Sequence, residues 1–299
     1  MRSFKYSNFA VYKELIMLET ITKINESINY AAVADILQDP IFKPSLRKRI
    51  DEVREYNEDA QEFLRDVVAG AHRAAIIYGP PGMGKTHAIV EALNSAGLQE
   101  LNDFIIARSH TTPGMLYVLL YLMRKHGKYV ILDDCDGIIA DETGLNLLKG
   151  ATDPTYRWVG WSSTKELRNP TNGKSLPSSF EFNGTVIVST NVRLASGRGR
   201  IANHMDALRS RSAPFSLNLE SREDQYAQIF HMIVEKDYLA ADVNTEIKNE
   251  QKVELLKFLL ENLDIPRRLD LRLPQHIARA MKAKPNNWQR QARRFLEAA

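Results

Sequence analysis

From Ala74 onward the chain alternates short, almost wholly apolar runs with longer segments whose apolar residues recur every three or four positions. The runs 74–78, 104–107, 129–133, 185–190 and 214–219 predict strands buried on both faces, since a half-exposed strand would alternate apolar and polar residues. Between them, 86–95, 113–125 and 142–150 predict helices. The second opens on Thr112-Pro113, a capping residue followed by proline at the first helical position. Strand and helix in alternation predict an α/β fold whose parallel sheet is sandwiched by helices. Upstream, Phe9, Tyr12, Leu15, Ile16, Ile21 and Ile24 predict a helix over 7–38 that stops at Asp39-Pro40. Leu46, Ile50, Val53, Ala60, Leu64 and Val67 predict a second long helix over 46–68. It is expected to face a core, because too few heptads are present for a coiled-coil seam. After Ser221 only helical spacing follows, over 221–236, 250–262, 274–283 and 287–297. Three parts are therefore expected: an N-terminal helical segment (1–64), an α/β domain (65–219) and a small α-helical domain (220–299).

The composition is that of an ordinary globular chain, with 299 residues, 44% hydrophobic and 26% charged, enough for one large domain and a smaller one. No apolar run reaches bilayer-spanning length and residues 1–12 lack a signal-peptide layout, so a cytoplasmic location without membrane contact is expected. The single cysteine, Cys135, has no partner for an intrachain disulfide, which fits a reducing compartment. A small buried residue is the expected role for it, rather than a nucleophile. The seven histidines show no metal-ligand spacing. A net charge of +3 names no polyanionic partner, but its distribution is uneven. Between Pro266 and Arg294 nine cations face one acid, Asp270.

One stretch carries specific chemistry. Gly79-Pro80-Pro81-Gly82-Met83-Gly84-Lys85-Thr86 fits G-x-x-x-x-G-K-[ST] without a gap, between a predicted strand and a predicted helix. Its glycines let the backbone turn N–H groups onto a polyphosphate, and the helix N-terminus favours the anion. Lys85 would reach the β- and γ-phosphates and Thr86 would ligate Mg²⁺, with Lys85 expected to be solvated while the loop is empty. The strand 129–133 delivers Asp133 to its carboxyl end, where it would share the Mg²⁺ with Thr86. Asp134 stands where a water-activating base belongs, with Asp136 as the alternative or as its supporting partner. Strand 185–190 ends in Asn191, suited to orienting the attacking water or sensing the γ-phosphate. Arg209 and Arg211, on a predicted helix end before the last strand, are suited to stabilising transition-state charge, in a neighbouring subunit's site.

Together these segments resemble the AAA+ ATPases over roughly residues 65–299. The 79–86 loop matches Walker A, the 131–134 strand end Walker B, Thr190-Asn191 sensor 1, and Leu208-Arg209-Ser210-Arg211 the arginine-finger segment, in the family's order. The phrase Phe180-Glu181-Phe182-Asn183-Gly184-Thr185 is similar to AAA+ proteins of phages and mobile elements, which would place the chain in a bacterial host's cytoplasm. The resemblance implies a P-loop NTPase core with a helical lid, ATP and Mg²⁺ as ligands, and self-association into a ring or helical oligomer, with a hexamer expected. It also implies a sensor 2 arginine in the lid, open among Arg267, Arg268 and Arg272, with Arg272 favoured. The chain departs from the family at Asp134, where glutamate is usual. Hydrolysis is therefore expected to be slow or to need a partner to complete the geometry.

Two segments bear on the substrate. Residues 151–184 contain Trp158, Trp161, Lys165, Arg168 and Lys174, with turn signals at Asn169-Pro170 and Asn172-Gly173. Two β-like runs, 157–162 and 179–183, predict a hairpin whose aromatics either stack on nucleic acid or pack the hairpin onto the domain. The region after the second strand lacks the aromatic-hydrophobic-glycine triplet of protein-threading relatives. With the basic run 266–294, this favours an oligomeric ATPase remodelling nucleic acid or a nucleoprotein complex. The alternative is a remodeller or gate acting on a protein partner alone. A nucleotide kinase is disfavoured, because Asn191 and Arg211 would have no work in it.

Overall fold

The computed structural model describes residues 36–163, 166–192, 200–217, 219–265 and 269–297. Most of the helix expected over 7–38 lies outside them, as do Lys165, Arg267 and Arg268. The chain divides into two compact units, residues 56–219 and residues up to 55 together with 220–299.

The first unit is built on β1 (Ala74–Tyr78), α2 (Lys85–Ser95), β2 (Phe104–Arg108), α3 (Pro113–Leu122), β3 (Tyr129–Asp133), α4 (Asp136–Ala140) and α5 (Glu142–Thr152). A hairpin of β4 (Trp158–Gly160) and β5 (Ser179–Glu181) follows, then β6 (Thr185–Thr190), α6 (Arg200–Arg209) and β7 (Ala213–Ser216). Helix α1 (Pro44–Val68) enters this unit with its C-terminal half. Five strands form one sheet in the order β2-β3-β6-β1-β7, every neighbouring pair parallel. Successive residues of a strand point to opposite faces, and both faces are buried. Ile76, Val130, Leu132, Val186 and Val188 pack with Leu116 and Leu120 of α3 and Leu145 and Leu148 of α5. The residues between them, Ala75, Ile77, Ile131 and Ile187, pack with Leu64 and Val67 of α1 and Ile89 and Leu93 of α2. The expected three-layer α/β sandwich is the one observed. Strand β7 is shorter than the apolar run 214–219 predicts, α4 has no counterpart among the predicted elements, and α6 is the helix whose end is expected before that strand, with Arg211 just beyond it.

The second unit contains α7 (Arg222–Val234), a short 3-10 turn (Tyr238–Ala241), α8 (Asn249–Glu261), α9 (Arg272–Ala283) and α10 (Trp288–Glu297). Ser221 and Asp224 form a reciprocal capping box at the start of α7. From Asp224 to Ile233 every residue of α7 is buried, so it is this unit's central helix. The N-terminal half of α1 belongs here rather than with a separate segment ending at residue 64. Arg49 pairs with Asp224, Arg54 Nη2 lies 2.8 Å from Glu235 Oε1, and Phe42 meets Phe230 edge to face at 5.9 Å. Among the described residues no helix is long and apolar enough to cross a membrane.

Candidate active site

The three central strands of the sheet end together and bring the acids, the amide and the glycine-rich loop to one place. β1 runs into the loop at Gly79. A Cβ there would stand 2.2 Å from the carbonyl oxygen of Leu217, so only glycine fits where the loop passes the chain leaving β7. Gly84, with φ of +94°, takes the left-handed conformation that turns the loop into α2. Lys85 and Thr86 thus occupy the first turn of that helix, where backbone N–H groups have no intrahelical partner.

Lys85 is not solvated, contrary to the sequence expectation. It is 6% exposed, and its ammonium donates to the carbonyls of Gly79 and Pro80, both at 2.9 Å, and to Asn191 Oδ1 at 2.7 Å. A buried ammonium needs acceptors for its three N–H donors, and the loop folds back to supply them. Thr86 Oγ1 donates to Asp133 Oδ1 at 2.6 Å. Two hard oxygen donors side by side suit Mg²⁺, whose ligands lie about 2.0–2.1 Å from the ion. Adjacent ligands of such an octahedron stand about 2.9 Å apart, so the pair would spread by only a few tenths of an ångström.

Asp134 has φ of +52°, unusual for a residue with a side chain, and its N–H donates to the Ser189 carbonyl at 3.0 Å. Its carboxylate accepts from Asn191 Nδ2 at 2.8 Å. The amide orientation follows from its neighbours: ammonium only donates and carboxylate only accepts, so Asn191 must present oxygen to Lys85 and nitrogen to Asp134. Asp136 is engaged elsewhere, accepting from Thr190 Oγ1 at 2.6 Å, and belongs to the first turn of α4. Of the two candidate bases, Asp134 is the one joined to Lys85 through Asn191. Cys135 is buried, its thiol donates to the Ala107 carbonyl at 3.3 Å, and burial pushes the thiol pKa up. These features suit the structural role expected of it.

The arginines stand apart from this cluster. Arg209 ends α6 exposed, while Arg211 Nη1 donates to the Ala207 carbonyl at 2.8 Å. Both precede β7, whose first residue, Ala213, pairs with Ala75 near the start of β1. The glycine-rich loop follows the other end of β1, about 13 Å further along at about 3.3 Å per residue. Arg272 is exposed at the first position of α9, where Asp270 Oδ1 accepts from its N–H at 2.9 Å.

The hairpin expected over 157–162 and 179–183 is present, pairing Trp158 with Glu181, Val159 with Phe180 and Gly160 with Ser179. Its tryptophans differ. Trp161 packs on Tyr117, ring centroids 5.7 Å apart, and belongs to the core, whereas Trp158 is 45% exposed. Arg168 is paired with Glu166 at 2.9 Å. In the C-terminal unit the basic run also divides. Arg279 pairs with Asp242 at 3.1 Å and Lys282 donates to the Val243 carbonyl at 2.6 Å. Arg290, Arg293 and Arg294 share the exposed face of α10 opposite buried Trp288, Ala292 and Leu296, beside Glu261 and Glu297 around a 560 Å³ cavity.

Three of the four motifs that carry the resemblance to the AAA+ ATPases thus meet at one end of the sheet, and the fourth leads into its edge strand. No family model matches the chain. It is 26% identical over 256 residues to an uncharacterized 36.7 kDa protein of Enterobacteria phage T4, encoded in the nrdC-mobD intergenic region, covering 81% of this chain and 77% of that one. Among solved structures it is similar to Thermotoga maritima RuvB, with 12% identity and a TM-score of 0.45 over 81% of this chain and 71% of that one. It is also similar to domain III of the Thermotoga maritima replication initiation protein DnaA, with 15% identity and a TM-score of 0.46 over 81% and 93% of the two chains.

Proposed function

We propose that this protein is an AAA+-type ATPase that hydrolyses Mg-ATP in a ring or helical oligomer, with a hexamer expected, and couples turnover to remodelling nucleic acid or a nucleoprotein complex. One observation carries the ATPase reading: the hydrogen-bonded chain Lys85–Asn191–Asp134 beside the Thr86–Asp133 pair. The polyphosphate enters against the N-terminus of α2 and the loop glycines. Lys85 exchanges its protein acceptors for β- and γ-phosphate oxygens, which releases Asn191 and Asp134. Mg²⁺, held by Thr86 and Asp133, would neutralise charge building on the phosphates. Asn191 then holds a water in line with the γ-phosphorus. Its oxygen bonds to phosphorus, the bond to the bridging oxygen breaks, ADP leaves with that electron pair, and the water proton passes to Asp134.

Arg211, supported by Arg209, would meet the γ-phosphate of a neighbouring subunit, because its own lies at the other end of β1. Arg272 is the favoured sensor 2 arginine of the C-terminal unit. Nucleic acid as substrate is supported by the exposed cations of α10 and the exposed hairpin aromatic. The engagement of Arg168, Arg279 and Lys282 within the protein favours the second reading, a protein partner. Measuring ATP turnover alone and with single-stranded DNA, duplex DNA and RNA separates the two. Stimulation by nucleic acid supports the first reading, and stimulation only by polypeptide supports the second.

A further inference from the structure

Opposite the proposed ATP site, the loops entering β1, β3 and β6 and the end of β5 line an open surface cavity of about 370 Å³, formed by Arg73, Arg124, Lys125, His126, Glu181 and Asn183. These loops hold one another in place. The Arg73 carbonyl accepts from Val186 N at 3.2 Å, that of Arg124 from Asn183 N at 2.7 Å, and that of Lys128 from Thr185 N at 2.9 Å. Four of the six lining residues are arginine, lysine or histidine, and one is an acid.

Charge beside the cavity is unbalanced as well. Arg157, 4% exposed, gives its guanidinium to the carbonyls of Ala151 and Gly184, at 2.8 and 2.9 Å, and has no carboxylate partner among the described residues. Its Nη1 is buried without a hydrogen-bond partner. Burial, aided by the charge of Arg73, lowers the Arg157 pKa to about 10. That guanidinium still carries its proton at neutral pH, so its charge adds to that of Arg73, Arg124 and Lys125.

Next to these cations is a stacked aromatic pair. Trp158 lies across the hairpin from Glu181, a cavity-lining residue, so both project from the same face. Tyr156, 70% exposed, stacks on Trp158 with ring centroids 6.1 Å apart and planes 25° from parallel. Asp153 Oδ1 holds the turn beneath them, accepting from the N–H groups of Thr155 and Tyr156 at 2.9 and 2.8 Å. Flat, exposed rings beside a cationic cavity match a chain that alternates planar bases with phosphates. An acidic polypeptide would use the cations and leave the rings idle, and a duplex keeps its base faces stacked inside.

We propose that this face binds single-stranded nucleic acid, with bases stacking on Trp158 and Tyr156 and phosphates passing over Arg73, Arg124, Lys125 and His126. The inference rests on the nucleic-acid half of the proposed function and locates the contact on the α/β unit rather than on α10. Glu181 is the repulsive member of the site, so Glu181→Gln tightens binding.

Fluorescence anisotropy with labelled oligo-dT, oligo-U and a DNA duplex, using the ATP-loaded Asp134→Asn protein across a salt series, tests this. Trp158→Ala is expected to weaken single-strand binding by about 5- to 140-fold with the salt slope unchanged. Tyr156→Ala, in an exposed turn, provides the same reading should the first variant fold poorly. The Arg73→Ala/Lys125→Ala double variant is expected to flatten the slope of log affinity on log salt by about 1.4. If single strands bind but these variants bind as tightly as the parent, the inference is overturned and the nucleic-acid reading stands. Loss confined to an Arg290→Ala/Arg293→Ala/Arg294→Ala variant likewise overturns the inference and moves the contact to α10. If no nucleic acid binds at low salt while poly-glutamate does, the nucleic-acid reading falls with it.

Discussion

The Lys85 ammonium donates to Asn191 Oδ1 at 2.7 Å, so the lysine of the glycine-rich loop is held by the residue that follows β6. Binding a γ-phosphate must break this bond, and Asn191 also donates to Asp134 at 2.8 Å. In the proposed mechanism, nucleotide entry and arming of the base are therefore coupled through a single amide.

Replacing Lys85 tests the first step. Charge-assisted hydrogen bonds contribute about 1.5–3 kcal/mol each, so Lys85→Ala should weaken ATP binding by at least tenfold in titration calorimetry. The same change removes the donor for two carbonyls and for Asn191. A small drop in melting temperature is expected as well, which a solvated lysine would not produce. Unchanged affinity contradicts the assignment of the loop.

If Arg211 acts as the proposed finger, its distance from its own loop calls for self-association. Turnover per chain should rise with protein concentration. Subunits carrying Arg211→Ala, mixed with subunits carrying Lys85→Ala, should recover activity that neither has alone, since one supplies a nucleotide site and the other a finger. A constant rate per chain from a monomer would rule this out.

The hairpin tryptophans should part company in stability. Large-to-small changes at buried aromatic sites cost about 3–5 kcal/mol, and Trp161 is partly buried against Tyr117 and the core around it. Trp161→Ala should therefore lower unfolding stability by about 2 kcal/mol or more in urea titrations, whereas exposed Trp158→Ala should change it by under about 0.5 kcal/mol. Equal effects would contradict the packing described.

Acid should loosen the C-terminal unit through two carboxylates. Burial raises the Asp224 and Glu235 pKa values, but hydrogen bonds outweigh it, from Arg49 and Ser221 to Asp224 and from His231 and Arg54 to Glu235. Both end below their ordinary values. A carboxyl whose folded pKa is depressed adds stability that is fully present above its unfolded pKa, about 4, and lost as pH falls through the folded value. Stability should therefore decline below about pH 5, and Glu235→Gln should flatten that decline. Arg54→Ala should cost about 1.5–3 kcal/mol at neutral pH. An acid limb identical in Glu235→Gln would sink this account.

The strands and the phosphate loop were legible because buried parallel strands read as unbroken apolar runs and the loop's chemistry is contiguous in the chain. What escaped depends on distant pairing. Arg49 and Asp224 are 175 positions apart, so nothing local signalled that half of α1 joins the C-terminal helices. The burial of Lys85 hinges on Asn191, 106 residues on. Helix α4 is only five residues long and leaves no periodicity to read. The cavity at the other end of the sheet from the glycine-rich loop joins the short run Arg124-Lys125-His126 to Arg73 from another loop, a pairing that nothing local signals. The phrase Phe180-Glu181-Phe182-Asn183, by contrast, makes structural sense. Both phenylalanines are buried, while Glu181 and Asn183 line that cavity.

The claim that Asp134 is the base of an ATP-hydrolysing site is tested most directly by phosphate release from Asp134→Asn beside the parent protein, at saturating Mg-ATP, with affinity measured on the same samples. Asparagine keeps an acceptor for Asn191 but takes up no proton. Binding should be unchanged and turnover should fall roughly a hundredfold or more, while Asp136→Asn loses less and Asp134→Glu keeps or raises the rate. An Asp134→Asn protein that releases phosphate at the parental rate would contradict the account.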